Sequence, residues 1–301
     1  MQTFPILVMA AAILSTPISF AQSQPQSGVQ TSIPHVTLTF TRIDCTPTAT
    51  YTTASGINNA GQVVGDCGGT AGYVWTPNSI HPINFPGATA TFAADINSNG
   101  EIAGIYDAPD RSGARGFLLD GGVYKIIFDA QGVQTVVNGI NAAGDMVGFW
   151  DDTAFNIHGF VYRAGVFNDI TIPGGNLYTI PSGLNASALV GTYSTAGVIH
   201  SFLLQGGVVT ILEYPGATYS NAYSINTAGE VIGLYEDSDF RFHGFLWQGG
   251  RFIETFDLLA GSMVADIYTR LSLNDVGQIV GTYLDEHGAR HGFVANLPRL
   301  N

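Results

Sequence analysis

DINSNGEIAG, residues 95–104, opens like a calcium-binding loop, with Asp95, Asn97, Asn99 and Gly100 in the order D-x-N-x-N-G. Such a loop closes on a bidentate glutamate at its twelfth position, and that place holds Tyr106. The rest of the chain explains the stretch differently. Close copies stand at 56–65 (GINNAGQVVG), 139–148 (GINAAGDMVG), 224–233 (SINTAGEVIG) and 272–281 (SLNDVGQIVG), with a copy one residue shorter at 183–191 (GLNASALVG). The shared asparagines Asn58, Asn97, Asn141, Asn185, Asn226 and Asn274 are spaced 39, 44, 44, 41 and 48 residues apart. Asp95 stands outside the pattern, because its counterparts are Gly56, Gly139, Gly183, Ser224 and Ser272. N-x-x-G therefore reads as a tight hairpin turn, in which the asparagine side chain bonds the backbone and the glycine takes a positive φ.

Each copy leads into the same sequel. An aromatic strand follows: GYVW (72–75), GFLL (116–119), HGFVY (158–162), HSFLL (200–204), HGFLW (243–247) or HGFVA (291–295). A second glycine hairpin such as DGG (120–122) and a further short strand complete most units. Four antiparallel strands in a unit of this length make a propeller blade. The sixth unit ends without its fourth strand, and HVTLTFTRID (35–44) has the character of that strand type. The expected fold is all-β: a six-bladed β-propeller over residues 35–301, closed in its last blade by the N-terminal strand, with 36–43 pairing against 290–295. Closure of this kind removes an open sheet edge.

The unit resembles the HAF-type extracellular repeat of bacterial exported proteins, which has an I-N-x-x-G-x-I-V-G core followed by a His-Ala-Phe element. His-Gly-Phe stands here at 158–160, 243–245 and 291–293, and His-Ser-Phe at 200–202. The first two units depart, with Ala71 and Arg115 in the histidine place. The resemblance covers about residues 40–296 and implies export. It implies no particular chemistry, since that family carries no assigned activity.

The chain has 301 residues, 38 glycines, a single lysine (Lys125) and a net charge of −13. So acidic a chain repels phosphate backbones and anionic membrane surfaces, so nucleic acid is not an expected partner. The apolar run Phe4–Phe20, with small residues at Ser19 and Ala21 at its end, reads as a signal peptide over 1–21, or else as a retained anchor. Residues 22–34 read as a disordered leader. No membrane span is expected after cleavage, and the mature chain is expected to be a secreted or periplasmic monomer. Two cysteines in an exported chain, Cys45 and Cys67, are expected to pair as a disulfide.

No G-x-S-x-G, H-E-x-x-H, phosphate-binding glycine loop or paired-cysteine metal motif is present. No catalytic residue, cofactor or metal ligand is therefore assigned. His158, His200, His243 and His291 recur on four separate blades, about 10 Å outside the inner strand, and cannot converge on one ion. They read as hydrogen-bonding groups that hold the blades. A second recurrence is an aromatic followed by acids: Tyr106 with Asp107, Trp150 with Asp151, Tyr235 with Glu236 and Tyr283 with Asp285. Aromatic faces beside carboxylates suit sugars, so these eight residues are the expected ligand-binding surface, for a neutral or cationic partner, a glycan first or else an extracellular protein, the net charge of −13 disfavouring an acidic one. The other reading is that the rings fill the space between blades and the acids are simply solvated. The expected function is a non-catalytic binding module. The alternative is a propeller enzyme: a glycan hydrolase, a lyase or a metal-dependent lactonase.

Overall fold

The computed structural model describes residues 21–23, 33–110, 113–175, 178–260, 263–267 and 270–298. It is all-β, with no helix among the described residues, and its six four-stranded blades form a ring. From the axis outward, blade one is Gly56–Ile57, Val63–Cys67, Ala71–Thr76 and Ser79–Ile83. Blade two is Thr91–Ile96, Ile102–Asp107, Ala114–Asp120 and Val123–Ile127. Blade three is Gln134–Ile140, Met146–Asp151, Ile157–Arg163 and Val166–Ile170. Blade four is Thr179–Leu184, Ala188–Thr195, Val198–Gln205 and Val208–Ile211, and blade five is Tyr219–Ile225, Val231–Glu236, Phe242–Gln248 and Arg251–Ala260. In blade six the inner strand is split into Met263–Ile267 and Ser272–Leu273; Gln278–Leu284 and Arg290–Asn296 follow.

The N-terminal strand closes the last blade as expected, though over a shorter stretch. Phe40–Ile43 pairs antiparallel with residues 292–295, whereas His35–Leu38 runs parallel to residues 255–258 on the outer strand of blade five. The arm therefore ties two blades. Of the expected leader, residues 22–23 and 33–34 are among those described. Ala21–Ser23 pairs in parallel with residues 208–210 of blade four, and the Pro34 carbonyl accepts the Thr255 N–H. Residues 24–32 and the rest of the expected signal peptide lie outside the described residues. Cys45 and Cys67 form the expected disulfide, with Cα atoms 5.8 Å apart and a sequence separation of 22. Loop closure of that length contributes about 3 kcal/mol in the chain-entropy account.

Two recurrences explain the repeat physically. The glycine of the V-G core lies opposite the aromatic of the next strand: Gly65 faces Tyr73, Gly104 Phe117, Gly148 Phe160, Gly191 Phe202, Gly233 Phe245 and Gly281 Phe293. All six rings are fully buried. A Cβ at Gly233 would stand 2.3 Å from Phe245 Cζ and 2.2 Å from the Asn221 carbonyl, so only glycine lets the ring lie flat against the strand.

The second recurrence is a belt of asparagines. Within each full turn the Asn Oδ1 accepts two N–H groups; Asn58, for instance, accepts those of Ala60 and Gln62, both at 3.1 Å. The Nδ2 group then donates to the carbonyl of the next repeat's asparagine. Asn58 bonds Asn97 (3.2 Å), Asn97 bonds Asn141 (2.9 Å), and Asn141 bonds Asn185 (3.4 Å). Asn185 bonds Asn226 (2.8 Å), Asn226 bonds Asn274 (3.5 Å), and Asn274 returns to Asn58 (3.0 Å). The circle is complete, and it fastens the first blade to the last on the face opposite the cysteines.

Candidate functional site

The eight expected ligand residues are built into the blades. Tyr106, Trp150, Tyr235 and Tyr283 are 3%, 5%, 8% and 4% exposed, so they offer no ring face to a sugar. Trp150 stacks on His158 with ring centres 4.1 Å apart, Tyr235 on His243 at 5.0 Å, and Tyr106 on Phe85 at 3.6 Å. Tyr283 packs at 5.4 Å from His291. Three of the acids have side-chain partners as well. Asp151 is buried and accepts from Gln134; Glu236 accepts the Thr218 hydroxyl at 2.7 Å; Asp107 is held through its backbone by Ala90 and Thr89. This corrects the expectation of a surface and favours the reading that the rings fill the space between blades.

The acids that matter for the fold stand six residues before three of the four repeat histidines, His158, His243 and His291; before His200 that place is Ser194. Asp152 accepts the N–H groups of Ala154 and Asn156 with one oxygen, and His158 lies 3.3 Å from the other. Asp237 serves Asp239, Arg241 and His243 in the same way, and Asp285 serves His287, Ala289 and His291. The far ring nitrogen then reaches the outer strand or its extension: His243 to Asp257 at 2.6 Å, His291 to Asp44 at 2.7 Å and His200 to Glu213 at 2.5 Å. The histidines hold the blades, as expected. Hydrogen bonds from Asn156 lower the Asp152 pKa, and the Arg241 N–H does the same for Asp237. Burial alone would depress His243, but its bonds to Asp237 and Asp257 outweigh burial and raise its pKa.

These aspartate turns and the asparagine turns share one geometry, with a left-handed residue three places after the Asn or Asp. That residue is glycine at 61, 100, 144, 229, 277 and 288. In blades three and five it is instead Phe155 (φ 63°) and Phe240 (φ 61°), which are 78% and 76% exposed.

Blade four departs most from the repeat. Its second and third strands are joined by a two-residue hairpin at Ala196 (φ 48°) and Gly197 (φ 85°). Above it, at the mouth of the channel, lies a cavity of about 330 Å³ spanning blades three to five. Half-buried Tyr178, Tyr219 and Tyr223 line it, with Asn138, Asn221 and Arg270; Phe149, Ile180 and Ile199 supply apolar wall. Asn221 donates to the Tyr219 hydroxyl at 2.9 Å. Arg270 reaches from blade six to the carbonyls of Asn138 and Ser182, both at 3.0 Å. Its Nε and the Asn221 Oδ1 are buried without a protein partner. Burial lowers the Arg270 pKa, against the pull of Asp95 and Tyr223.

Asp95 lies deeper and does not line the cavity. Its oxygens accept the N–H groups of Ile96 (2.9 Å) and Ile140 (3.0 Å), and burial pushes its pKa up to about 6. A second cavity of about 400 Å³ opens between blades three and four on the opposite face, where the fourth asparagine turn is one residue short. Its cation Arg163 is already paired with Asp145, so it lacks the converging unpaired polar groups of the channel mouth.

The cavity residues were missed in the sequence, but a signal exists. Four places before the repeat asparagines stand Ala54, Ala93, Val137, Pro181 and Ala222, and then Arg270. Together with Asp95 it breaks otherwise uncharged columns.

Neither a family model nor a curated protein sequence matches this chain. Solved structures match in fold. A protein described as TolB from Agrobacterium tumefaciens aligns over 82% of this chain and 90% of its own, at 11% identity and TM-score 0.52. AofleA from Arthrobotrys oligospora aligns over 93% and 91%, at 12% identity and TM-score 0.51. A gluconolactonase from Xanthomonas campestris aligns over 86% and 90%, at 12% identity and TM-score 0.52. At these identities the likeness establishes the β-propeller and nothing about activity.

Proposed function

We propose that this chain is an exported, non-catalytic β-propeller that holds a glycan at the channel mouth over blades three to five. The observation that carries this reading is the cavity's lining. It brings tyrosine rings, two asparagines and an arginine together, with no carboxylate, histidine or cysteine among them. Ring faces with convergent hydrogen-bonding groups suit a sugar, whose C–H surface stacks while its hydroxyls are bonded. The same wall offers no ordinary general base. Export is supported by the apolar N-terminus, by the disulfide and by the HAF-type resemblance.

Asp95 is the observation that favours the enzyme alternative, since a carboxyl titrating near 6 is suited to proton transfer. Both of its oxygens are occupied by backbone N–H groups, and it is set back from the cavity, which supports a structural role.

The test is a glycan screen of the chain from residue 22 onward, followed by titration calorimetry with Tyr178→Ala and Tyr219→Ala. A bound glycan whose affinity falls at least tenfold in both variants, with unchanged melting, supports the site. Binding indifferent to both variants places the ligand elsewhere. Turnover of a bound glycan that is lost in Asp95→Asn establishes the enzyme instead.

A further inference from the structure

We infer that the glycan of this cavity is acidic: a uronate unit sits over the tyrosines with its carboxylate at Arg270, and its neighbouring units lie on Phe155 and Phe240. The inference rests on the channel-mouth reading above and names the substrate class.

The charge argument comes first. Arg270 lines the cavity and meets only neutral protein groups at hydrogen-bond distance, the carbonyls of Asn138 and Ser182. It makes no ion pair within 4 Å among the described residues, whereas Arg42 and Arg163 are paired with Asp44 and Asp145; the Asp95 carboxyl, set back from the cavity, attracts it without touching it. Its Nε–H is a buried donor without an acceptor, and such donors in native structures ask for a missing partner. Guanidinium and carboxylate are complementary in charge and in fork geometry. Tyrosine hydroxyls on the same wall add donors, and no acid on it repels an anion. The net charge of −13 opposes an acidic ligand at long range. At physiological salt that field is screened beyond about 8 Å, so the local cation decides the outcome.

The length argument is independent. The left-handed position of this turn is glycine in six places and phenylalanine in two, on the blades that flank the shortened hairpin of blade four. A bulky residue there is strained, and a ring more than three-quarters exposed gains little from burial. Strain combined with exposure has no benefit for folding, but it does present a stacking surface. The strands that leave these two turns reach the cavity wall: Ile157, two residues after Phe155, bridges to Tyr178, and Phe242, two after Phe240, lies edge-on to Tyr219 with ring centres 6.4 Å apart. A cavity of about 330 Å³ is at the small end for ligand sites, so a longer chain must continue over the rim.

The experiment is calorimetry at physiological salt with di- and tetrasaccharides of galacturonate, of glucuronate-containing chains and of alginate, each paired with its carboxyl-reduced counterpart. At least one acidic tetramer is expected to bind more than tenfold tighter than its reduced partner. That preference should vanish in Arg270→Met and fall in Arg270→Lys, which keeps the charge without the fork. Phe155→Gly combined with Phe240→Gly should weaken the tetramer at least threefold and spare the dimer, while the melting temperature holds or rises because the strain is gone. A reduced sugar bound as tightly as its acid, or a preference that survives in Arg270→Met, overturns the inference and leaves the glycan site standing. Should Arg270→Met not fold, the matched acid and reduced pairs on the unaltered chain decide alone. Failure of every acidic and neutral glycan overturns both readings.

Discussion

Replacing Asn97 with alanine tests whether the asparagine belt holds the ring together. The side chain makes four hydrogen bonds from a buried position. Its Oδ1 accepts the N–H groups of Asn99 and Glu101, both at 3.0 Å. Its Nδ2 donates to the Asn141 carbonyl at 2.9 Å and to the Glu101 carboxylate at 2.6 Å. A hydrogen bond contributes about 1 kcal/mol net, and a buried group left unpaired costs about 1–3 kcal/mol. The two turn N–H groups can partly rehydrate, whereas the Asn141 carbonyl is enclosed between blades. Asn97→Ala is therefore expected to lower stability by about 3–4 kcal/mol, a large share of the 5–15 kcal/mol of a typical fold. Asn185 is only half-buried, in the shortened turn, and its loss should cost less, about 2 kcal/mol.

Asn97→Asp sharpens the test. The shape is kept, but a carboxylate would face the Asn141 carbonyl and the Glu101 carboxylate, where the amide had donated. Such a carboxyl has a raised pKa and can still donate when protonated. The variant should lie close to the parent at pH 4 and fall well below it at pH 8. Urea unfolding followed by the fluorescence of Trp75, Trp150 and Trp247 measures both variants. A loss under 1 kcal/mol in Asn97→Ala, or an Asn97→Asp deficit that ignores pH, would show that the belt is a geometric consequence of the ring and not a fastening.

Deleting residues 22–44 removes Leu38 and Ile43 from the core and strips His291 of Asp44. At about 2–3 kcal/mol for each buried aliphatic side chain, with an unpaired buried histidine besides, the loss exceeds about 5 kcal/mol, and an unchanged melting temperature would refute strand closure. Asp95 supplies a pH prediction. Its folded pKa of about 6 lies above the reference 3.8, so its contribution is fully present below pH 4 and is lost as pH rises through 6. The stability gap between the parent and Asp95→Asn should shift by about 3 kcal/mol against the parent from pH 4 to 8, and a flat gap in thermal scans would reject the buried titration.

The fold was legible because a blade is a local object. The asparagine turn, the core glycine and the aromatic opposite it all lie within one unit, so six copies display the architecture by repetition. The closing arm was legible from a missing strand, but its second pairing, His35–Leu38 along blade five, leaves no mark in the spacing. The aromatic-then-acid pattern misled for a physical reason. Both faces of a propeller blade pack against neighbours, so alternation along a strand does not separate solvent from core. Trp150 and Tyr235 therefore look the same in sequence whether they meet a ligand or a histidine. In three blades a histidine six residues after Asp152, Asp237 or Asp285 was the mark of the second case.

Repetition also explains why the candidate site was hidden. Equivalent residues on a ring of blades stand at equal radius and are carried apart by the rotation between blades, so a repeated motif supplies a belt or a clamp. A pocket for one ligand needs unlike residues from several blades, and those are positions where the repeat fails. Arg270 occupies a column of small apolar residues, and the hairpin at Ala196–Gly197 omits the aspartate turn that would stand above the cavity. Phe155 and Phe240 take the place of glycine. Arg270 lines the cavity, and the other departures lie on blades three to five, which supply the rest of its wall. Local choices that disagree with the fold's own rules are expected where function, and not stability, has fixed the residue. The repeats alone therefore account for the ring, while the departures mark the position on it that the proposed ligand would occupy.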